Sequence, residues 1–270
     1  MTRALRRRPY AVCSAVLWLA ALAGSGWIAY IGLTDAYAAG TEISGWIAFG
    51  CAAVCAVLLP VSTLVHECGH LLFGALSGMR FGGVQIGWLY FSARGVRLQR
   101  AAGAGETRCA PRRVKTLARV RTGLSVTILG GACCNLLYAA AFFALFFVFS
   151  VSPALMFFAC FAPLNAAEAL CALLPADLPA GKTDGLALAE LSRKDGETEI
   201  AARVMAAQAF MQEKGVADLP RDWLFETPVI REDSPAFLQL LELRREYLLA
   251  QGDTNAAAQT EERLAQIKGE

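Results

Sequence analysis

Residues 43–76 read ISGWIAFGCAAVCAVLLPVSTLVHECGHLLFGAL, with 43–65 free of charge and His66, Glu67 and His70 following directly. About 20 apolar residues cross the hydrocarbon of a bilayer, so the stretch predicts a membrane helix over 44–76. His66 lies ~35 Å along that helix from residue 43 at 1.5 Å per residue, towards its far end. Titratable groups at such a position are costly and are functional candidates by default. Helix positions i and i+4 lie about 40° apart, so the two imidazoles point to one side and can bind one metal ion. Glu67 lies about 100° round, where it can reach a metal-bound water instead of the metal. This is the His-Glu-x-x-His arrangement of zinc hydrolases. The two histidines are the only ones in the chain, which makes their falling together by chance rare. The plain alternative is a helix end whose polar residues reach into the interface.

Further apolar runs lie on either side. Residues 10–34 carry no charge, and neither do 122–167, a run twice as long as one span needs. Ser150, Ser152 and Pro153 mark a turn inside the second run. Four membrane helices are expected, at about 10–33, 44–76, 123–149 and 154–176. Arg3, Arg6, Arg7 and Arg8 precede the first, and Ala36-Tyr37-Ala38 resembles a signal cleavage site. That first apolar stretch exceeds the roughly 7–15 residues of a signal sequence, so an uncleaved helix is expected.

Charge is segregated along the 270 residues. Residues 1–185 hold 15 Lys/Arg and 7 Asp/Glu, a net of +8, and 186–270 hold 10 and 16, a net of −6. With 56% apolar and 18% charged residues, a simple soluble globule, a disordered chain and a nucleic-acid binder are all excluded. Segment 78–121 has ten basic residues and one acid, Glu106, whereas loop 34–43 has only Asp35 and Glu42. The positive-inside rule then puts both termini in the cytoplasm of a multi-pass cell-membrane protein. Eight of the nine cysteines lie in the apolar spans, where cysteine packs as a small hydrophobe, and Cys109 lies in the basic loop. No disulfide framework is expected. The acidic tail predicts soluble helices: one over 186–214, one that Ser234-Pro235 starts and Gly252 stops, and a last one capped by Asp253. A cytosolic protein is the partner such a module would dock.

A hydrolytic zinc site needs a third protein ligand and an open position. With no third histidine, the candidates are Glu168, Asp177 and Asp184, all near the end of the fourth span. Asp184 follows a Pro/Gly-rich break (Pro175, Pro179, Gly181) on the face where the histidine pair is expected.

Three stretches together resemble the site-2 protease family of intramembrane zinc metalloproteases. They are Leu64-Val65-His66-Glu67-Cys68-Gly69-His70-Leu71, then Gly130-Gly131-Ala132-Cys133-Cys134-Asn135-Leu136-Leu137, then Leu173-Leu174-Pro175 with Lys182-Thr183-Asp184-Gly185. The resemblance covers roughly residues 44–190. It implies one zinc per chain on His66, His70 and Asp184, Glu67 as general base, and Asn135 beside the active site; from there the Asn135 amide is expected to assist at the oxyanion. Ala172 stands where the family often has Asn, the Pro175-to-Asp184 spacing is longer than usual, and the Pro-x-Gly-Gly motif between spans two and three is missing. The resemblance also implies a membrane-associated β-hairpin over 78–100. Val84, Ile86, Trp88 and Tyr90 alternate there with Gln85, Gly87, Leu89 and Phe91, with a return over 96–98. Its exposed edge would pair with an extended substrate; a simple amphipathic interfacial segment is the alternative.

The expected fold is therefore an all-α polytopic membrane protein of about four transmembrane helices, with a short β-hairpin and a C-terminal soluble helical domain. Its parts are 1–43, 44–190 and 191–270. The expected activity is cleavage of a membrane-anchored protein or peptide near the cytoplasmic face, with no nucleic-acid partner. A catalytically silent membrane scaffold and a transporter component are the alternatives.

Overall fold

The computed structural model describes residues 7–38, 40, 45–99, 105–148, 158–179 and 181–269. It is mostly helical with a small antiparallel sheet. The elements are α1 (Arg7–Ala38), α2 (Gly45–Leu76), β1 (Met79–Ile86), β2 (Leu89–Ser92), β3 (Gly95–Leu98), β4 (Gly105–Pro111), α3 (Leu117–Val148) and α4 (Ala162–Leu173). There follow β5 (Asp177–Leu178), β6 (Gly181–Lys182), α5 (Asp184–Arg193), α6 (Gly196–Lys214), α7 (Arg221–Phe225), α8 (Pro235–Ala250) and α9 (Thr254–Lys268). They form two compact units, each assembled from separate stretches. The first takes the described residues of 1–73, 82–108 and 127–186, and the second those of 74–81, 109–126 and 187–270.

In the first unit, α1 displays large apolar residues outward: Val12, Leu19 and Trp27 are 63%, 66% and 65% exposed. A helix apolar on its outer face is what a membrane span presents. Its inner face, with Leu17, Trp18 and Ala21, packs on Phe161, Leu164 and Ala167 at the start of α4. The Ser25 hydroxyl donates to the Cys160 carbonyl at 2.6 Å, so this buried polar group is satisfied.

Among the described residues, two helices are long and apolar enough to cross a membrane, Arg8–Asp35 and Leu117–Val148. The sequence predicts four. The side chains of 45–60, in the expected second span, lie outside the described residues, as do 154–157 at the start of the expected fourth. Within the described part of the fourth, α4 covers only 12 residues. It stops because Leu174, next to Pro175, takes an extended backbone with ψ 125°.

The β region is richer than the single hairpin expected over 78–100. The strand order is β3-β2-β1-β4. The alternating run 84–91 is two strands, paired Val84 to Phe91 and Ile86 to Leu89 across the two-residue turn Gly87-Trp88. Gly87 has φ 56°, a conformation that tight hairpin turns require and that glycine adopts at little cost. A second turn leads to β3, with Phe91 opposite Val96. β4 is formed by residues the sequence places in a basic loop.

The second unit has one apolar core. Ile200 and Val204 of α6, Leu224 of α7 and Leu240 and Leu241 of α8 are buried together with Val114, Leu117 and Val120. The tail therefore shares its core with the stretch leading into α3, where the sequence predicts a single boundary near residue 190. Helix ends follow local chemistry. The Ser234 hydroxyl accepts from the Phe237 backbone N–H and Asp253 accepts from that of Ala256. The expected continuous helix 186–214 is interrupted at Lys194, whose φ is 57°. Burial pushes the Cys109 thiol above its ordinary value, and the described cysteines are all free.

One ion-pair cluster ties this core together. Glu199 is fully buried and accepts from Arg121 Nε at 2.7 Å, from Arg121 Nη2, and from Arg203 Nε at 2.7 Å. Removing one member of a buried ionic cluster costs more than the cluster itself contributes, because charges remain without a counter-charge. Glu199→Ala should therefore destabilise the second unit by about 3–5 kcal/mol. A thermal midpoint of the purified full-length protein, unchanged by this substitution, would contradict that account.

Candidate metal centre

The centre begins with the end of α2. His66, Glu67 and His70 are all buried, and one ligand atom from each lies within 4.8 Å of the others, so the three can hold a metal ion. The two rings stand nearly perpendicular, at 89°, with centroids 4.6 Å apart. A fourth group arrives from α5. Asp184 Oδ2 lies 3.0 Å from His66 Nε2 and 3.5 Å from His70 Nε2. Two ligands each ~2.0–2.1 Å from one tetrahedral ion stand ~3.3 Å apart, so these separations, which also allow a direct His66–Asp184 hydrogen bond, are compatible with a common ion.

The outer ring nitrogens are engaged as well. His70 Nδ1 is 2.8 Å from the Thr127 carbonyl oxygen. A carbonyl can only accept, so Nδ1 carries the proton and Nε2 offers its lone pair to the centre. His66 Nδ1 faces the Asn135 amide nitrogen at 3.4 Å, while Asn135 Oδ1 is buried without a partner. Exchanging the two ends of the amide gives Oδ1 the Nδ1 proton and gives His66 the same tautomer as His70. In that orientation Asn135 lies against the His66 ring, beside the centre.

Glu67 has its own support. The Thr107 hydroxyl of β4 donates to Glu67 Oε2 at 2.5 Å. Nothing in the sequence singles out Thr107, because its approach depends on the strand order.

The route to Asp184 explains the long spacing after Pro175. β5 and β6 fold back on each other, pairing Asp177 with Lys182 and Leu178 with Gly181. Thr183 closes the hairpin: its hydroxyl donates to the Leu174 carbonyl at 2.6 Å and accepts from the Ala176 N–H at 2.9 Å. The extra residues are absorbed, and Asp184 starts α5 beside the histidines. Of the other two candidate acids, Glu168 lies near enough to His66 to act on it electrostatically, and its Oε2 is buried without a partner. Glu168 Oε1 accepts from the Thr63 hydroxyl at 3.0 Å, one helical turn before His66, and Asp177 is exposed on the hairpin.

Glycines make the room. A Cβ on Gly69 would stand 2.3 Å from the Gly130 carbonyl oxygen, so α2 and α3 meet at backbone distance. A Cβ on Gly131 would stand 2.6 Å from His66 Nε2 and 2.7 Å from His70 Cε1. The open cradle beside the rings and a donor set of two imidazoles and a carboxylate fit a divalent ion. Gly131→Ala should push the imidazoles off their common centre and lower metal affinity by roughly 10–100-fold, the usual effect of disturbing a supporting shell. Chelator competition on purified protein measures this, and an unchanged affinity would refute the cradle. Compared with known proteins, the chain matches no family model, no curated protein and no solved structure.

Proposed function

We propose that the chain is an intramembrane zinc metalloendopeptidase of the site-2 protease type, a multi-pass protein of about four spans with both termini in the cytoplasm. Its substrate is a membrane-anchored protein or peptide, cut near the cytoplasmic face. The observation that carries this reading is the placement of Asp184 Oδ2 between His66 Nε2 and His70 Nε2, with Glu67 beside them on an otherwise apolar helix.

His66, His70 and Asp184 would hold zinc, which when bound would supply Lewis-acid activation of water and of the scissile carbonyl. Glu67 takes the proton that the attacking water loses and passes it to the leaving amine nitrogen as the C–N bond breaks. Thr107 holds Oε2 of Glu67 and leaves Oε1 for that transfer. Thr127 and Asn135 keep both imidazoles in the tautomer that presents Nε2. Glu67 is 5% exposed, which limits access of bulk water to the base. Among the described residues β4 is an edge of the sheet. A substrate segment paired along it would lie extended next to Glu67, with its backbone groups satisfied while its own helix is unwound.

The test compares the membrane proteomes of cells carrying wild-type protein and Glu67→Gln. A membrane protein shortened only by the wild type is the expected result. Identical proteomes, with zinc present in both proteins, would leave a catalytically silent scaffold.

A further inference from the structure

The second unit carries a cleft of about 880 Å³ between the end of α2 and the start of α3. Arg80, Arg112, Arg113, Lys115 and Arg119 line it, and among the described residues no carboxylate does. All five cations are exposed, and among the described residues none of them forms an ion pair. Five like charges gathered on one cleft repel one another, so the arrangement is maintained at a cost unless an anion occupies it. Elsewhere in the same unit, Arg121 and Arg203 are matched to Glu199. The absence of acids at the cleft is therefore local.

Position narrows the anion. Arg80 comes four residues after the last residue of α2, and Arg119 lies in the first turn of α3, a helix long and apolar enough to cross a membrane. On the membrane reading the cleft sits at headgroup depth, at the ends of two spans, where phosphates of anionic lipids are concentrated. Phe81 and Met79 add apolar wall to the same cleft, suited to the acyl-proximal side of a lipid. Arginine forks suit phosphate oxygens in particular.

We propose that this cleft binds the phosphate of an anionic phospholipid headgroup and so seats the α2–β1 and β4–α3 joints at the membrane surface. The inference rests on the membrane reading of the chain but not on hydrolysis at the metal centre.

The test uses full-length protein in nanodiscs of phosphatidylcholine with or without phosphatidylglycerol, and native mass spectrometry of the lipid retained on release. Wild type should keep phosphatidylglycerol in preference to phosphatidylcholine. Arg112→Gln/Arg119→Gln should bind it roughly 10–30-fold more weakly, and Arg112→Lys/Arg119→Lys, which keeps the charge, should lose less. An unchanged thermal midpoint in both variants shows that the second unit is folded, and an unchanged zinc content separates this test from the metal centre. Equal retention of both lipids, or equal retention by the Gln variant, overturns the proposal. Two further arms use lipid-free protein in detergent. Saturation by submillimolar inorganic phosphate would reassign the cleft to a soluble phosphate ligand. Tight binding of an oligoglutamate peptide, displaced by neither phosphate nor lipid, would reassign it to acidic protein segments.

Discussion

Glu67→Gln is expected to keep about one zinc per chain and to lose cleavage by roughly 10²–10⁴-fold, the usual contribution of a positioned general base. The substitution preserves shape, and the Thr107 hydroxyl can still donate to the amide oxygen, as it does to Glu67 Oε2. What disappears is the ability to take a proton from water. The geometry also offers a competing role, because a Glu67 oxygen lies within 4.8 Å of both histidines and Glu67 could itself be a ligand. The two roles differ in outcome. A ligand replaced by an amide would release metal, whereas a base replaced by an amide leaves it in place. Zinc content and peptide cleavage measured on the same purified sample separate them, and loss of both together would move Glu67 into the ligand set.

Gly185→Ala is expected to release metal although Gly185 carries no donor atom. A Cβ there would stand 1.9 Å from the Leu173 carbonyl oxygen and 2.4 Å from its carbon. Both are backbone atoms at the end of α4, which cannot turn aside as a flexible side chain would. The first turn of α5 must retreat, and Asp184 goes with it. Metal sites tolerate only about ±0.2 Å in ligand distance, so affinity should fall about 100-fold or more, at or beyond the upper end of supporting-shell effects. Titration with a zinc-selective chelator reads this directly. Wild-type affinity in Gly185→Ala would mean that Asp184 does not have to sit where the β5–β6 hairpin holds it.

The parts of this centre differed in how legible they were in the sequence, for physical reasons. His66, Glu67 and His70 belong to one helix, where spacing alone decides which side chains share a face. Asp184 is brought in by a hairpin and a hydroxyl clamp at Thr183, which depend on tertiary packing; the sequence offered three acids, and family resemblance pointed to one. Thr107 was invisible because β4 is defined by its neighbours in the sheet. The same applies to the alternating run 84–91, whose periodicity was right but whose Gly87 turns the chain back halfway. At Val114, Leu117 and Val120 a helical apolar spacing was present, yet the surrounding arginines and lysine read as a cytoplasmic loop. Those cations border a buried face that packs on the tail, which leaves their expected cytoplasmic placement untouched.

The tail consequently has a structural role besides any docking. Cutting the chain near Arg193 would expose Val114, Leu117 and Val120, so truncation tests the fold of the second unit as much as partner binding.

The central claim is that His66, His70 and Asp184 together hold one zinc ion. Zinc per chain measured by elemental mass spectrometry on purified wild type, Asp184→Ala, His66→Ala and Glu168→Ala tests it most directly. About one zinc is expected in wild type and in Glu168→Ala, and little in Asp184→Ala or His66→Ala. Full occupancy in Asp184→Ala with loss in Glu168→Ala would contradict the account and give the ligand role to Glu168.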